Sequence, residues 1–427
     1  MLDWGIAVEK ELLSPDKALE IIMTSISPLG TECITLAKAY GRTLSEDVFS
    51  DIDLPPFDNS AMDGYAIIAE NTLGASPNSP KVFEVIAEQP AGTVVNQSIS
   101  SQTAIRIMTG APIPKGADAV VIVEHTVREN NRMSVFVETQ KGANIRFRGE
   151  DIKHFQRVLL AGTRIGPAEM GLLAAIGKQD ISVYRIPRVA VITSGDELVD
   201  IKDYPEPGKI RDSNQYSTLG QVLEAGGQIS MLVRSPDEKE ELAGILSQAA
   251  DISDVLITIG GVSVGDHDFV KETLERLGEI KFWKVAIKPG KPLAYGSING
   301  KPLFGLPGNP ASSMVTFDIF VRPALMLLSG CTHTGQLTVS GKVSQDIKHK
   351  KGRREFVRAN TVWEADGFFA TPTGDQGSGM LSSMLGANSY IVVDESNKDV
   401  AAGQMVNIIL LDRNSASTSV FLGNGER

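Results

Sequence analysis

Residues 188 to 328 alternate between short apolar segments and amphipathic segments, and this alternation constrains the fold more than any other feature of the chain. Strands that alternate with helices at this spacing are typical of a doubly wound parallel sheet with helices on both faces. The sequence therefore predicts an α/β domain here. Its predicted strands lie at 189–198, 228–233, 254–259, 280–287 and 303–306, and its predicted helices at 214–225, 236–250, 268–277 and 310–328, the last capped by Asn309.

Glycine-rich or proline-rich loops follow four of these strands. In such sheets the ligand crevice lies beyond the carboxyl ends of the strands, so the four loops are expected to meet at one edge. The residues they deliver are Ser194, Gly195, Asp196 and Glu197, then Gly260, Gly261, Ser263, Gly265, Asp266 and Asp268, then Lys288 and Lys291, and finally Pro307, Gly308, Asn309 and Pro310.

The loop GGVSVGDHDFV, at 260–270, carries the strongest binding pattern of the four. A strand that ends in glycines and leads into a helix offers unpaired backbone N–H groups to an anion. Its glycine spacing is similar to that of a P-loop, but no Lys-Ser or Lys-Thr follows Gly265, and two carboxylates, Asp266 and Asp268, come there instead. The pattern favours a site for an anion and a metal, and a plain strand-to-helix turn is the alternative.

The charged residues of the four loops indicate which ligand the crevice would bind. Lys288 and Lys291 flank a Pro-Gly turn, so both ammonium groups can point into the crevice towards a phosphate or an oxyanion, although either alone is more often a surface charge. Glu197, Asp266 and Asp268 supply the hard oxygen ligands that suit Mg²⁺. Together they favour a nucleotide or another phosphorylated ligand. Such chemistry needs little covalent help from the protein, so the lack of a Ser/His/Asp arrangement is no objection.

The N-terminal half combines a helix with a predicted all-β region. A serine cap and a following proline predict an amphipathic helix over 14–26. Apolar runs predict strands within 81–149, and three polar loops stand out beside them. The loop at 54–67 holds Asp58, Asn59, Ser60, Asp63 and Tyr65, which favour either a functional loop or an Asx-rich turn. The other loops are 106–121, which contains Thr109, and 146–152, whose charges fit a solvated face or a site.

The region 334–411 returns to short alternating strands and predicts a β-barrel or a sandwich. Its basic run at 350–359 is either a solvated surface or a rim of positive charge. We therefore predict a multidomain α/β plus β protein. Its predicted parts are an N-terminal helix packing on the α/β domain (1–27), a linker domain (28–55 and 150–186), a small β domain (56–149), the α/β domain (187–330) and a C-terminal β-barrel domain (331–427).

Composition excludes several classes of function. A net charge of −11 and a pI near 5.1 argue against a general nucleic-acid-binding role, which needs the opposite sign. Cys33 and Cys331, with no CxxC motif, suggest neither a disulfide framework nor a thiolate metal site. There is no signal-peptide pattern and no apolar run of the roughly 18 residues that a membrane helix needs. We expect a cytoplasmic protein.

Seven motifs together carry a family resemblance. They are DNSAMDGYA (58–66), RIMTGAPIPKGADAVV (106–121), RGEDI (148–152), TSGDEL (193–198), GGVSVGDHD (260–268), KPGKPL (288–293) and GLPGNP (305–310). In this order they resemble the molybdopterin molybdenumtransferase family, of the bacterial MoeA and gephyrin E-domain type, from about residue 10 to residue 411. The resemblance implies insertion of molybdate into adenylylated molybdopterin, with release of AMP and formation of molybdenum cofactor. It also implies Mg²⁺, a homodimer whose active site is shared between subunits, and contact with other proteins of molybdenum cofactor biosynthesis.

The resemblance also implies roles for individual residues. Asp63, Thr109 and Asp151 would come from the β part of one subunit, and Glu197, Asp268, Lys284, Lys288 and Lys291 from the crevice of the other, with Pro307, Pro310 and Ser378 shaping or lining the site. One departure concerns the turn after the second crevice strand, where the family commonly has an acidic residue and this chain reads Val233-Arg234-Ser235-Pro236-Asp237. Either Asp237 or Ser235 takes that position. A scaffold protein and a generic Mg²⁺-dependent nucleotide hydrolase are the alternative functions.

Overall fold

The computed structural model describes residues 12–261, 269–364 and 367–411, and it leaves the side chains of 269–272 undescribed. The predicted N-terminal helix is confirmed as Pro15–Thr24, because the side chain of Ser14 accepts a hydrogen bond from the Lys17 N–H and Pro15 occupies the first position. Ala18 and Ile22 are fully buried in the same apolar cluster as the α/β sheet, so this helix packs on the α/β domain.

A linker region follows this helix. It is built from two segments of the chain, one before and one after the small β domain. Its strands Thr31–Thr35 and Asp180–Tyr184 pair antiparallel, as do Val48–Phe49 and Arg157–Leu159. The second half of the linker region also contains the helix Pro167–Ala175. An apolar cluster that includes Leu44, Ile165, Leu173 and Val183 lies between these elements. The small β domain is therefore an insertion between two halves of one packed unit.

The small β domain is built on a six-stranded sheet. All its strand pairs are antiparallel except Lys81–Gln89 with Thr103–Ile107. Apolar clusters cover both faces of the sheet, which gives the domain its own core. The strand order is Ala119–Ile122, Gly64–Ile67, Thr103–Ile107, Lys81–Gln89, Arg132–Val135 and Thr126–Glu129.

The α/β domain has a six-stranded sheet that is mixed rather than wholly parallel. The prediction of a parallel sheet is right for four neighbouring strands and wrong for the two at one edge, which run antiparallel to their neighbours. The sequence did not predict Pro292–Ile298, because proline and glycine are depleted in strands. Gly296 is needed there, since a Cβ on it would lie 2.1 Å from the Glu279 carbonyl oxygen. The strand order is Gln228–Ser235, Arg188–Ser194, Val255–Ile259, Lys301–Leu306, Pro292–Ile298 and Gly278–Lys284.

Helices cover both faces of this sheet, so the doubly wound prediction is confirmed. Alternate residues of one strand show this: Val189 and Val191 belong to one apolar cluster, and Ala190 and Ile192 belong to another on the opposite face. Described helices of this domain are Ser213–Glu224, Lys239–Ile252, Phe269–Leu277, Pro310–Thr316 and Arg322–Leu328, with a π-helical turn at Phe317–Val321 joining the last two.

The helical segment Pro310–Leu328 corrects one expectation. By length and composition alone its 19 residues could cross a membrane, whereas the sequence analysis expected no such segment. Because 78% of its most apolar window is buried inside the protein, it is a core helix. Asn309 occupies its N-cap position, but the Asn309 side chain makes no capping hydrogen bond.

The C-terminal region forms a barrel, which decides between the two predicted architectures. Each of its five strands pairs with two others, so the sheet closes on itself. The strand Ile287–Lys288 of the preceding domain adds to its outside, in parallel with Arg354–Glu364. The predicted strand at 280–287 is therefore divided between two sheets. The barrel strands are Thr338–Val343, Arg354–Glu364, Gly367–Pro372, Ser389–Val393 and Met405–Leu410.

Candidate active site

The carboxyl edge of the α/β sheet brings three of the predicted loops into close contact. A Cβ on Gly260 would lie 2.5 Å from the Ser194 carbonyl oxygen, and a Cβ on Gly308 would lie 3.8 Å from the Gly260 Cα. Gly260 also has φ +91°, a left-handed conformation that strains any other residue. The glycines therefore let three backbone segments approach at the crevice floor. Ser263, Gly265, Asp266 and Asp268 lie outside the described residues.

Glu197 is the one predicted metal ligand that the structure describes. Its exposed carboxylate folds back over Gly195, where a Cβ would lie 2.5 Å from Glu197 Oε2. The Glu197 side chain makes no hydrogen bond or ion pair with another described residue, so its oxygens are available to a ligand. Within the described ranges no group of three or more His, Cys, Asp and Glu side chains is arranged to bind a metal ion. The carboxylate oxygens of Glu197 are of the kind that bind Mg²⁺. The other two predicted Mg²⁺ ligands, Asp266 and Asp268, lie outside the described residues.

The turn after the second crevice strand brings Asp237 to the crevice edge. The Asp196 N–H donates to Asp237 Oδ2 over 3.3 Å, and the Asp237 N–H donates to Asp196 Oδ1 over 3.4 Å. Ser235, by contrast, is fully buried, and its Oγ donates to the Pro236 carbonyl. Both candidates therefore contact the TSGDEL segment, Ser235 as the strand partner of Ser194 and Asp237 with its carboxylate on the Asp196 N–H.

Two polar contacts in the crevice were missed by the sequence analysis. Thr193 Oγ1 donates to Asp212 Oδ2 over 2.5 Å in a buried pair, and Asn214 Nδ2 donates to the Gly308 carbonyl over 2.7 Å. Asp212 also caps the helix Ser213–Glu224 by accepting the Gln215 N–H. An aspartate immediately before a helical pattern was the available signal, because it is a common N-cap. These contacts tie the helix to two crevice loops.

The three predicted lysines lie at the end of the sheet nearest the barrel. Lys288 Nζ is 2.8 Å from Glu355 Oε1 on a barrel strand, a partner that the sequence analysis did not include. The parallel pairing of Ile287–Lys288 places Lys288 opposite Glu355. Lys284 is half-buried and Lys291 exposed, and neither has an ion-pair partner among the described residues. Positive charge therefore lies where the crevice meets the barrel.

A barrel loop at 373–384 reaches the same place. The Ser378 carbonyl accepts the Ala311 N–H over 3.1 Å, so this loop sits on the first turn of the helix that begins at Pro310. Arg358 holds the loop from the outer face of a barrel strand, where it is fully buried, since its Nη2 donates to the Asp375 and Gly377 carbonyls. Burial lowers the pKa of Arg358. In the basic run at 350–359, Arg358 is thus an internal structural group rather than a surface charge.

A second polar group lies on the small β domain. Asp63 Oδ1 accepts hydrogen bonds from the Thr109 N–H (2.7 Å) and the Thr109 Oγ1 (2.8 Å), and both residues are exposed. These two bonds and the nearby charge of Arg106 lower the pKa of Asp63, so the carboxylate stays ionised at neutral pH. Gly64 next to it cannot carry a side chain, because a Cβ would lie 2.0 Å from the Val121 carbonyl oxygen.

The three polar loops of the N-terminal half meet around Asp63. Asn59–Ser60 pairs with Ile145–Arg146, and the Ser60 N–H donates to the Ala111 carbonyl. The Arg148 N–H donates to Asp58 Oδ1 over 2.8 Å, which joins the first and third loops. Asp151 is exposed on the third loop, and its N–H donates to the Leu54 carbonyl. The charged cluster at 146–152 is thus a hydrogen-bonded turn as well as a solvated surface.

The two polar groups are separate within one chain. Across the described residues, no hydrogen bond or ion pair joins 56–149 to 187–330, so no polar contact ties Asp63 or Thr109 to the crevice of the same chain. Each group is open to solvent on its own domain. A complete site that used both would need a second chain or a rearrangement of the linker.

Comparison with known proteins gives consistent matches along the chain. Residues 13–177 match the family described as MoeA N-terminal region (domain I and II), residues 190–327 match the probable molybdopterin binding domain, and residues 340–411 match the MoeA C-terminal region (domain IV). A molybdopterin molybdenumtransferase of Bacillus subtilis (strain 168) is 37% identical over 394 residues, covering 91% of each chain.

Longer matches and a solved structure agree with these family regions. A molybdopterin molybdenumtransferase of Staphylococcus aureus (strain COL) is 32% identical over 419 residues, covering 98% of this chain and 100% of that protein. The crystal structure of the molybdopterin biosynthesis moeA protein from Pyrococcus horikoshii OT3 superposes with a TM-score of 0.83 at 32% identity. That comparison covers 94% of this chain and 100% of the crystallised one.

Proposed function

This chain belongs to the molybdopterin molybdenumtransferase family and is a transferase of molybdenum cofactor biosynthesis, and we propose that its substrates are molybdate and adenylylated molybdopterin, with AMP as the second product. The observation that carries the proposal is the chemistry of the crevice edge. Its loops combine closely approaching glycines, the Glu197 carboxylate, which has no partner among the described residues, and three lysines, and this set suits a ligand with phosphate or oxyanion groups.

The proposed roles follow from where each group lies. Lys284, Lys288 and Lys291 bind the negative oxygens of the substrates, and the backbone at Gly260 and Gly308 lets the phosphates approach closely. The remaining loop residues, among them Ser194, Gly195, Asp196, Gly261, Pro307, Asn309, Pro310 and Ser378, shape the substrate site. Mg²⁺ held by Glu197 with Asp266 and Asp268 would supply positive charge against the phosphate oxygens.

Asp63 and Thr109 form the opposite wall in this proposal. The Thr109 bonds hold Asp63 ionised and oriented, which suits a group that accepts a proton or contacts a cationic or donor group of the substrate. Because one chain keeps this wall apart from its own crevice, we propose a homodimer in which each site combines the two domains of different subunits, with Asp151 near the wall. We further propose that the protein is cytoplasmic and contacts other proteins of molybdenum cofactor biosynthesis.

The variant Asp63→Asn tests the role of the second wall. An asparagine keeps an oxygen that can accept both Thr109 hydrogen bonds, so the fold should survive while the charge is lost. We expect molybdenum cofactor formation and AMP release from adenylylated molybdopterin to fall by about 100-fold or more. Asp47→Asn is the matched control, because Asp47 is an ionised carboxylate that binds Arg157 on the linker region, away from both polar groups. Unchanged turnover in Asp63→Asn would refute the assigned role.

Mixing two inactive variants tests the shared site. Asp63→Asn and Glu197→Gln homodimers that exchange subunits should regain about a quarter of wild-type activity, because half of the dimers are mixed and one of their two sites is intact. No recovery after verified exchange would place the site within one chain. AMP release from ATP without molybdopterin would instead favour a generic nucleotide hydrolase. If AMP is released neither from ATP nor from adenylylated molybdopterin, the result would favour a scaffold protein.

A further inference from the structure

A buried polar cluster connects the C-terminal barrel to the crevice lysines. The carboxylate of Glu355 is 5% exposed, and its two oxygens have different partners. Oε1 lies 2.8 Å from Lys288 Nζ, and Oε2 lies 2.8 Å from His349 Nδ1. The side chain of His349 is 1% exposed. The three side chains therefore form a continuous line from the barrel interior to the crevice.

The contact between Glu355 and Lys288 is set by backbone pairing. The strand Ile287–Lys288 runs parallel to Arg354–Glu364, and the register places Lys288 opposite Glu355. A buried carboxylate is costly unless it is paired, and here both of its oxygens are paired. Lys288 is different, because 42% of its side chain is exposed. An ammonium has three donors, so one bond to Glu355 leaves two for a ligand at the crevice.

His349 orients the carboxylate from the other side. Because Glu355 Oε2 accepts, His349 Nδ1 is the donor, and its Nε2 is buried with no hydrogen-bond partner among the described residues. The His349 N–H is held by Asp399 Oδ1 over 2.9 Å, which anchors the backbone of that segment. Arg358 also acts electrostatically on Glu355. Glu355 thus has Lys288 as its hydrogen-bonded partner at the crevice and His349 as its partner in the barrel.

We propose that Glu355 is a positioning residue for molybdenum insertion: it holds the Lys288 ammonium at one point of the crevice rim, while His349 orients the Glu355 carboxylate. The inference rests on the proposed function, in which Lys288 binds a negative group of the substrates. A lysine on the surface loses rotamer entropy when it binds a ligand. A lysine already held by Glu355 is preorganised, so more of its interaction is available in the transition state.

The test compares single and double variants of the full-length protein in the assay with molybdate and adenylylated molybdopterin. Lys288→Met should lower kcat/KM by about 100-fold and Glu355→Gln by about 10-fold. If Glu355 acts through Lys288, the double variant should be no worse than Lys288→Met alone. The double variant also removes both charges of the pair, so it keeps the test valid if Lys288→Met folds poorly.

Two further variants separate positioning from a general structural role. His349→Asn keeps a donor near the position of Nδ1 and should retain most activity, whereas His349→Leu should resemble Glu355→Gln. Lys348→Met is the matched control, because Lys348 is an exposed cation of the same segment that pairs with Asp399. It should leave kcat/KM unchanged.

The outcomes distinguish the two proposals. Wild-type kcat/KM in Lys288→Met would overturn the role of Lys288 and the inference with it. Impairment in Lys288→Met together with wild-type kcat/KM in Glu355→Gln would overturn the inference alone. So would an effect of Glu355→Gln that persists at full size in the Lys288→Met background, because it would show that Glu355 acts independently of Lys288.

Discussion

The buried pair of Thr193 and Asp212 gives the sharpest prediction for the crevice. Asp212→Ala removes the N-cap of Ser213–Glu224, which is worth about 1 kcal/mol, and leaves the Thr193 hydroxyl buried without its acceptor, which costs about 1–3 kcal/mol. We therefore expect a loss of about 2–4 kcal/mol in the free energy of opening this helix. Thr193→Val should cost about 1.5–3 kcal/mol, because it leaves a buried carboxylate oxygen without a donor.

The double variant reveals whether the two groups act as a pair. With hydroxyl and carboxylate both absent, neither is left unpaired, so the double variant should cost about 1–2 kcal/mol less than the sum of the single ones. Asp212→Asn is the control, since an asparagine still caps the helix and can donate to Thr193, and it should cost less than about 1 kcal/mol.

Hydrogen exchange measured over peptides from Ser213–Glu224 is the suitable assay. It reports the opening of this helix, whereas global unfolding of a multidomain chain need not be two-state. Costs that add within about 0.5 kcal/mol would refute the reasoning, because independent sites behave in that way.

Two further predictions concern a crevice glycine and a buried carboxylate. Gly260→Ala should lower the melting temperature and abolish activity, since its φ of +91° and the Ser194 oxygen 2.5 Å from the new Cβ both oppose the substitution. Gly244→Ala is the control, because Gly244 lies on an exposed helix face with open space around it, and it should be neutral or stabilising by up to about 1 kcal/mol. Equal decreases of melting temperature in the two variants would contradict this explanation. Burial alone would raise the pKa of Asp254, but hydrogen bonds from Arg188 and the charges of Arg188 and Arg185 hold that pKa below the ordinary 3.8. The stabilisation of the fold by ionised Asp254 is therefore present above pH 3.8 and is lost as the pH falls through the folded pKa. Asp254→Asn should therefore lower the melting temperature at pH 7. The difference from wild type should shrink only as the pH falls below 3.8 towards the folded pKa, and a difference that grows on acidification would contradict the sign.

Much of the fold could be predicted because it depends on local pattern. The alternation of apolar strands with amphipathic helices predicted the doubly wound core, and the serine and proline at 14 and 15 predicted the first helix. The prediction failed at Pro292–Ile298, where proline and glycine argue against a strand. That strand exists because its neighbours on both sides supply hydrogen-bond partners, which no local pattern reveals.

The sequence by itself determined which chemical groups this protein carries, and its motifs were enough to indicate the family. Glycines and carboxylates that follow consecutive parallel strands must collect at one edge of the sheet, and this follows from chain direction alone. Only the tertiary structure decided how those groups are paired. Lys288 meets Glu355 through a strand pairing between two domains, Asp196 meets Asp237 across two loops, and Asp63 is bound to Thr109 but separated from the crevice of its own chain. Such pairings join residues that are tens of positions apart, so they depend on domain packing and strand register, which local sequence does not encode.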